Sequence, residues 1–184
     1  MTNPEYLSQN EGFVSVALVS DTHGYLDERI AELIKTCDYA VHAGDICRAQ
    51  VLAGMKPKTG TVITVRGNND NEQKWLAEEL AVVSQIPYVA QLELPGGLLI
   101  VEHGDRHGFN SPCHAALRAH HPQARVIVYG HSHKQLCDQS QTPWVVNPGA
   151  AGRERTHGGP ACLILIASVH HWEIGTYRFE ALAA

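Results

Sequence analysis

Seven residues of this 184-residue chain carry metal-binding side chains and stand where short apolar runs give way to polar loops. They are Asp21 and His23, Asp45, Asn68, His103, and His131 with His133. All offer oxygen or imidazole nitrogen and none offers sulfur, a donor set that suits Mn, Fe, Zn, Ni or Co better than copper(I) or an iron–sulfur cluster. Seven donors are too many for one four-coordinate zinc. They suit two divalent ions sharing a carboxylate. In extended chain, residues two apart point the same way, so Asp21/His23 and His131/His133 are each expected to act as a local pair. Histidine is abundant, 12 of 184 residues, and four of the twelve fall at these positions.

The elements that must position these residues follow from apolar periodicity. Residues 13–19, 38–43 and 61–65 read as short apolar strands. Each runs into one of the polar loops and then into a segment with helical spacing, 26–34, 48–55 and 72–80. Strand, loop and helix in repetition predict βαβ units and a parallel sheet. The loops after parallel strands gather on one sheet edge, where α/β proteins bind ligands. The second half reads differently. Residues 88–94 and 98–102 form a hairpin about Pro95-Gly96-Gly97, 111–121 a helix, 124–129 and 144–146 strands, and 161–167 with 170–179 a closing antiparallel pair. The expectation is an α/β fold of two mixed sheets with helices outside. Its single domain spans 13–184, behind a polar N-terminal extension over 1–12.

Composition narrows the function classes. No apolar run approaches the roughly 18 residues that cross a bilayer, and Met1–Gly12 is polar without a basic residue, unlike a signal peptide. The expected location is therefore cytoplasmic. Five scattered cysteines without a CxxC pair argue against a disulfide framework or a structural zinc module. A net charge of -5 disfavours stable nucleic-acid binding, which wants a basic surplus. His120-His121 and His170-His171 could suggest metal storage, but adjacent side chains diverge and chelate poorly.

The ordered series Asp21-x-His23, Gly44-Asp45, Gly67-Asn68-Asn69-Asp70, His103 and Gly130-His131-x-His133 resembles the calcineurin-like metallophosphoesterase superfamily. The short length, His42-x-Gly44-Asp45, Arg66 before the Gly-Asn element and Asn147-Pro148-Gly149 are similar to its small prokaryotic YfcE-type phosphodiesterases. The resemblance covers about residues 13 to 180. It implies a four-layer αββα sandwich. It also implies a first metal held by Asp21, His23 and His133, a second held by Asn68, His103 and His131, and Asp45 bridging both. The implied ions are Mn, with Fe, Ni, Co or Zn as alternatives. The implied reaction is hydrolysis of a small phosphodiester by in-line attack of a hydroxide that bridges the ions. Relatives leave a homodimer or homotetramer open, and a non-catalytic protein-binding scaffold of the Vps29 type is the alternative on this fold.

Four further residues are candidates for catalytic work. Asp70 either orients an imidazole or caps a helix beginning near Glu72. Arg66 and His107 are candidate phosphate or leaving-group contacts. Asn69 stands where the wider superfamily has a histidine that can protonate the leaving group, and an amide cannot do so near neutrality. His42 is expected to support the Asp45 loop.

Overall fold

The computed structural model describes residues 12–108 and 111–181. The expected N-terminal extension thus lies outside the described residues, apart from Gly12. β1 (Val14–Val19), β2 (Tyr39–His42) and β3 (Val62–Thr64) run parallel, joined through α1 (Glu28–Thr36) and α2 (Ala49–Gly54). α3 (Leu80–Gln85) leads into the hairpin β4 (Val89–Leu94) and β5 (Gly97–Glu102). α4 (His114–His120), β6 (Val126–Val128), β7 (Leu136–Asp138), β8 (Trp144–Asn147), β9 (Ala161–Ala167) and β10 (Trp172–Arg178) follow. One sheet has the order β10-β9-β1-β2-β3 and the other β4-β5-β6-β8-β7, each mixing parallel and antiparallel pairs.

Side-chain alternation along the strands builds the layers. Val16 and Leu18 of β1 point inward to meet Leu99 and Val101 of β5 and Val126 and Val128 of β6, forming the core between the sheets. Their neighbours Ala17 and Val19 face outward against Ile30 and Ile34, which lie one turn apart on α1. On the opposite side Ile100 and Ile127 face Leu117 of α4. Helix, sheet, sheet and helix are thus stacked as expected. Full burial of Ile30 and Ile34 contributes about 2–3 kcal/mol each before chain entropy is subtracted. Asp27 fixes the start of α1 by accepting a hydrogen bond from Arg29 N at 3.0 Å.

Three local expectations need correction. The helix expected over 72–80 begins only at Leu80, after turns over 72–75 and a 3₁₀ turn at Ala77–Glu79. Trp75 causes the delay. Its side chain is buried against Ile46, Val51, Val83 and Ile86, and its indole N–H donates to Asp70 Oδ1 at 2.9 Å. The chain must turn there instead of continuing in register. α4 is also shorter than 111–121, starting at His114. β7 was not expected at all, because a three-residue edge strand has too little alternation to detect.

Candidate metal centre

The seven donors follow the C-terminal ends of β1, β2, β3, β5 and β6, so both sheets deliver them to one edge. The local geometry is unusual. Among the described residues, eight non-glycine positions have left-handed φ, between 46° and 65°. They form four pairs two residues apart: Asp21 and His23, Asp45 and Cys47, His131 and His133, Arg155 and His157. Such conformations are sparsely populated for non-glycine residues and collect at functional sites. Here they turn the chain sharply off a strand end and swing the donor side chains inward.

The first cluster joins Asp21, His23, Asp45 and His133, whose ligand atoms all lie within 4.8 Å of one another. His133 Nε2 is 3.3 Å from Asp21 Oδ1 and 3.2 Å from His23 Nε2. The second cluster forms around Asn68 Oδ1, which is 3.2 Å from His103 Nε2 and 3.1 Å from His131 Nδ1. Asp45 lies between them, with Oδ2 3.7 Å from His23 Nε2 and Oδ1 3.5 Å from His103 Nε2. Asp21 and His23 thus act as a local pair, as expected. His131 and His133 do not. They part, His131 toward Asn68 and His133 toward Asp21 and His23, although their backbone is left-handed like that of Asp21 and His23, so backbone conformation alone does not set the pairing.

The arrangement fits bound cations. Asp21 is fully buried, and its carboxylate oxygens receive at most weak hydrogen bonds, from the Ser20 side chain and the His131 backbone. Burial pushes its pKa up to about 7. An ionised carboxylate in such a place needs a compensating charge. At His103 burial acts downward, but the Asp45 hydrogen bond and the charges of Asp21 and Asp45 outweigh it and raise the pKa to about 9. The neighbouring groups hold Asp45 well below the usual carboxylate range, despite burial. Two carboxylates, imidazoles and an amide oxygen form a donor set for hard or borderline divalent ions.

Surrounding groups fix the donors. His103 Nδ1 is 2.8 Å from Ala43 O and His133 Nδ1 3.3 Å from Glu154 O, which turns each Nε2 toward the centre. Asn147, fully buried, donates to Gly130 O at 2.7 Å and to Ser132 Oγ at 3.0 Å, pinning the loop that carries His131 and His133. His42 accepts from Gly44 N at 3.2 Å, and its Nε2 meets Thr22 Oγ1 at 3.0 Å, tying the first two loops as expected. Burial drives the His42 pKa down to about 3, so the ring stays neutral. Gly67 packs where any Cβ would collide with the Asp45 carboxylate and backbone nitrogen.

The four candidate catalytic residues sit in different surroundings from those anticipated. Asn69 grips Asp45: its backbone N–H donates to Oδ1 at 2.8 Å and its amide to Oδ2 at 2.7 Å. Asp70 neither caps a helix nor meets an imidazole among its hydrogen-bond partners. It accepts from Ile46 N, Cys47 N, Gly67 N and Trp75 Nε1, all at 2.8–2.9 Å, and so clamps the Asp45 loop to the Asn68 loop. The Arg66 guanidinium donates to Val83 O and Ile86 O and closes the end of α3. His107 turns to the buried Glu102, with Nε2 2.8 Å from Oε1, and His121 approaches the other Glu102 oxygen. These contacts commit Arg66 and His107 to neighbouring elements, a role that their sequence spacing did not disclose. Asp70→Ala is expected to strand buried donors and destabilise the protein by about 3 kcal/mol or more. A urea-unfolding midpoint close to that of the parent chain would contradict this clamp.

Two residues that contact the site loops carry little sequence signal. The sequence marks Asn147 only as part of its Asn-Pro-Gly motif and does not mark Arg155. Arg155 Nη2 lies 3.4 Å from His23 Nε2, across 132 positions of sequence. No spacing rule spans that distance.

Comparison with known proteins gives a consistent picture. The sequence profile of the calcineurin-like phosphoesterase superfamily domain matches residues 14–169. Phosphodiesterase MJ0936 of Methanocaldococcus jannaschii is 24% identical over 143 residues, covering 74% of this chain and 83% of that protein. The E. coli phosphoesterase YfcE superposes with a TM-score of 0.60 at 21% identity, covering 89% of this chain and 98% of the other. Vacuolar protein sorting 29 of Cryptosporidium parvum reaches a TM-score of 0.67 at 17% identity, over 91% and 98% of the two chains.

Proposed function

Because the chain belongs to the calcineurin-like phosphoesterase superfamily, we propose that it is a dinuclear-metal phosphodiesterase acting on a small phosphodiester in the cytoplasm. The observation that carries this reading is Asp45. One carboxylate oxygen faces the Asp21–His23–His133 cluster and the other faces the Asn68–His103–His131 cluster. Asp21, His23 and His133 would hold one divalent ion, Asn68, His103 and His131 the other, and Asp45 both, with Mn the first choice. Two such ions supply a positive field for the phosphoryl oxygens and lower the pKa of water so that hydroxide is available near neutrality. Asn69 keeps both Asp45 oxygens aligned through its two hydrogen bonds. It has no transferable proton near neutrality, so substrates with good leaving groups are favoured. The domain over 13–184 carries the whole site. No helix among the described residues is long and apolar enough to cross a membrane.

The test is a metal screen with bis-p-nitrophenyl phosphate and p-nitrophenyl phosphate. Mn-dependent hydrolysis of the diester, with little of the monoester, is the expected result. Metal-loaded protein without turnover on a panel of phosphodiesters would instead favour a binding scaffold of the Vps29 kind.

A further inference from the structure

The left-handed pairs single out one loop that carries no proposed metal ligand. Asp21/His23, Asp45/Cys47 and His131/His133 each deliver at least one donor to the centre. The fourth pair, Arg155/His157, follows the same backbone pattern after β8, and what it delivers is a cation. The loop is held from both sides. Before Arg155, the Glu154 carbonyl engages His133 Nδ1 at 3.3 Å. After it, Arg178 Nη1 donates to Thr156 O and His157 O, both at 3.0 Å, and to Gly159 O at 3.2 Å. Arg155 itself is exposed, and among the described residues no carboxylate pairs with it. Its guanidinium instead meets His23 Nε2 at 3.4 Å, on the atom that faces the cluster.

That contact gives way once an ion takes the His23 nitrogen, and a guanidinium beside divalent cations is repelled unless an anion comes between them. We propose that Arg155 is a substrate contact whose planar fork holds non-bridging oxygens of the phosphoryl group bound at the centre. This rests on the phosphoesterase reading above and assigns one more residue to it. Arg153, two positions away, stacks on Tyr25 with its guanidinium carbon 3.7 Å from the ring centroid. It supplies a control of equal charge.

The experiment measures three quantities on Mn-loaded protein: Mn affinity, inorganic phosphate affinity by calorimetry, and kcat and KM on bis-p-nitrophenyl phosphate. Arg155→Ala is expected to bind Mn at least as tightly as the parent, since a neighbouring positive charge is removed, and to keep its unfolding midpoint. It should weaken phosphate binding roughly ten- to a hundredfold, as loss of a charge-assisted hydrogen bond does, and raise KM in step. Arg155→Lys should recover part of the phosphate affinity, since it keeps the charge and loses the fork. Arg153→Ala should leave all three unchanged. Parent-like phosphate affinity in Arg155→Ala overturns the proposal. So does a parallel loss of Mn affinity, which would mean that the loop acts through His133. Parent protein that binds Mn but neither binds phosphate nor hydrolyses the diester overturns the phosphoesterase reading, and this inference with it.

Discussion

Asp45→Ala is expected to abolish diester hydrolysis and to cut metal stoichiometry from two ions to at most one. The carboxylate sits between His23 and His103, at 3.7 and 3.5 Å, and so faces both clusters. Its removal takes a negative charge and a donor from each. The rate should fall by more than about 10³-fold, beyond the cost of deleting one transition-state hydrogen-bond donor. Native mass spectrometry would count the ions, and the chromogenic diester would report the rate. The fold should survive, because what is stranded is mainly the Asn69 N–H and amide, at about 1–3 kcal/mol each. Activity within tenfold of the parent, or two ions retained, would show that Asp45 is not the shared ligand.

The second large effect is on metal affinity as pH changes. Ligands must shed protons before a cation binds. In the metal-free centre His103 is raised to about 9 and Asp21 to about 7, so protons occupy both sites at pH 6. Apparent affinity should therefore climb between pH 6 and 9, by roughly tenfold per pH unit for each proton displaced. Calorimetry in buffers of different ionisation enthalpy should detect proton release at pH 7. Stability of the metal-free protein should move the opposite way. A His103 pKa raised above its ordinary 6.5 gives stability that is fully present below 6.5 and is lost as pH rises through about 9. The raised Asp21 pKa adds a further loss between 3.8 and about 7. Metal affinity that does not change from pH 6 to 9 would mean that neither group holds a proton the cation must displace.

The layers were legible because each strand is apolar at alternating positions and α1 repeats its apolar residues one turn apart. Val16/Leu18 against Ala17/Val19, and Ile30 with Ile34, assign their own faces. Where two demands compete locally, legibility ends. The segment from Glu72 has helix-forming residues, but Trp75 gains more by burying its ring and bonding Asp70 than by joining a helix. Arg66 and His107 show the same limit. A lone basic residue beside a ligand motif has the same sequence signature whether it meets phosphate, closes α3 or pairs with Glu102.

By itself the sequence determined the donor types, their order and the strand that each one follows, since ligand chemistry and apolar alternation are properties of individual residues and short spacings. The division of the seven donors about Asp45 was implied by the family resemblance, whereas only the tertiary structure decided the distances between them, that His131 and His133 part, and that Arg155 reaches His23. Those outcomes depend on the loops of two sheet edges meeting in space. That meeting leaves no period or motif in the chain. The histidines marked the chemistry, and the packing of the two sheets placed the charges among which it would run.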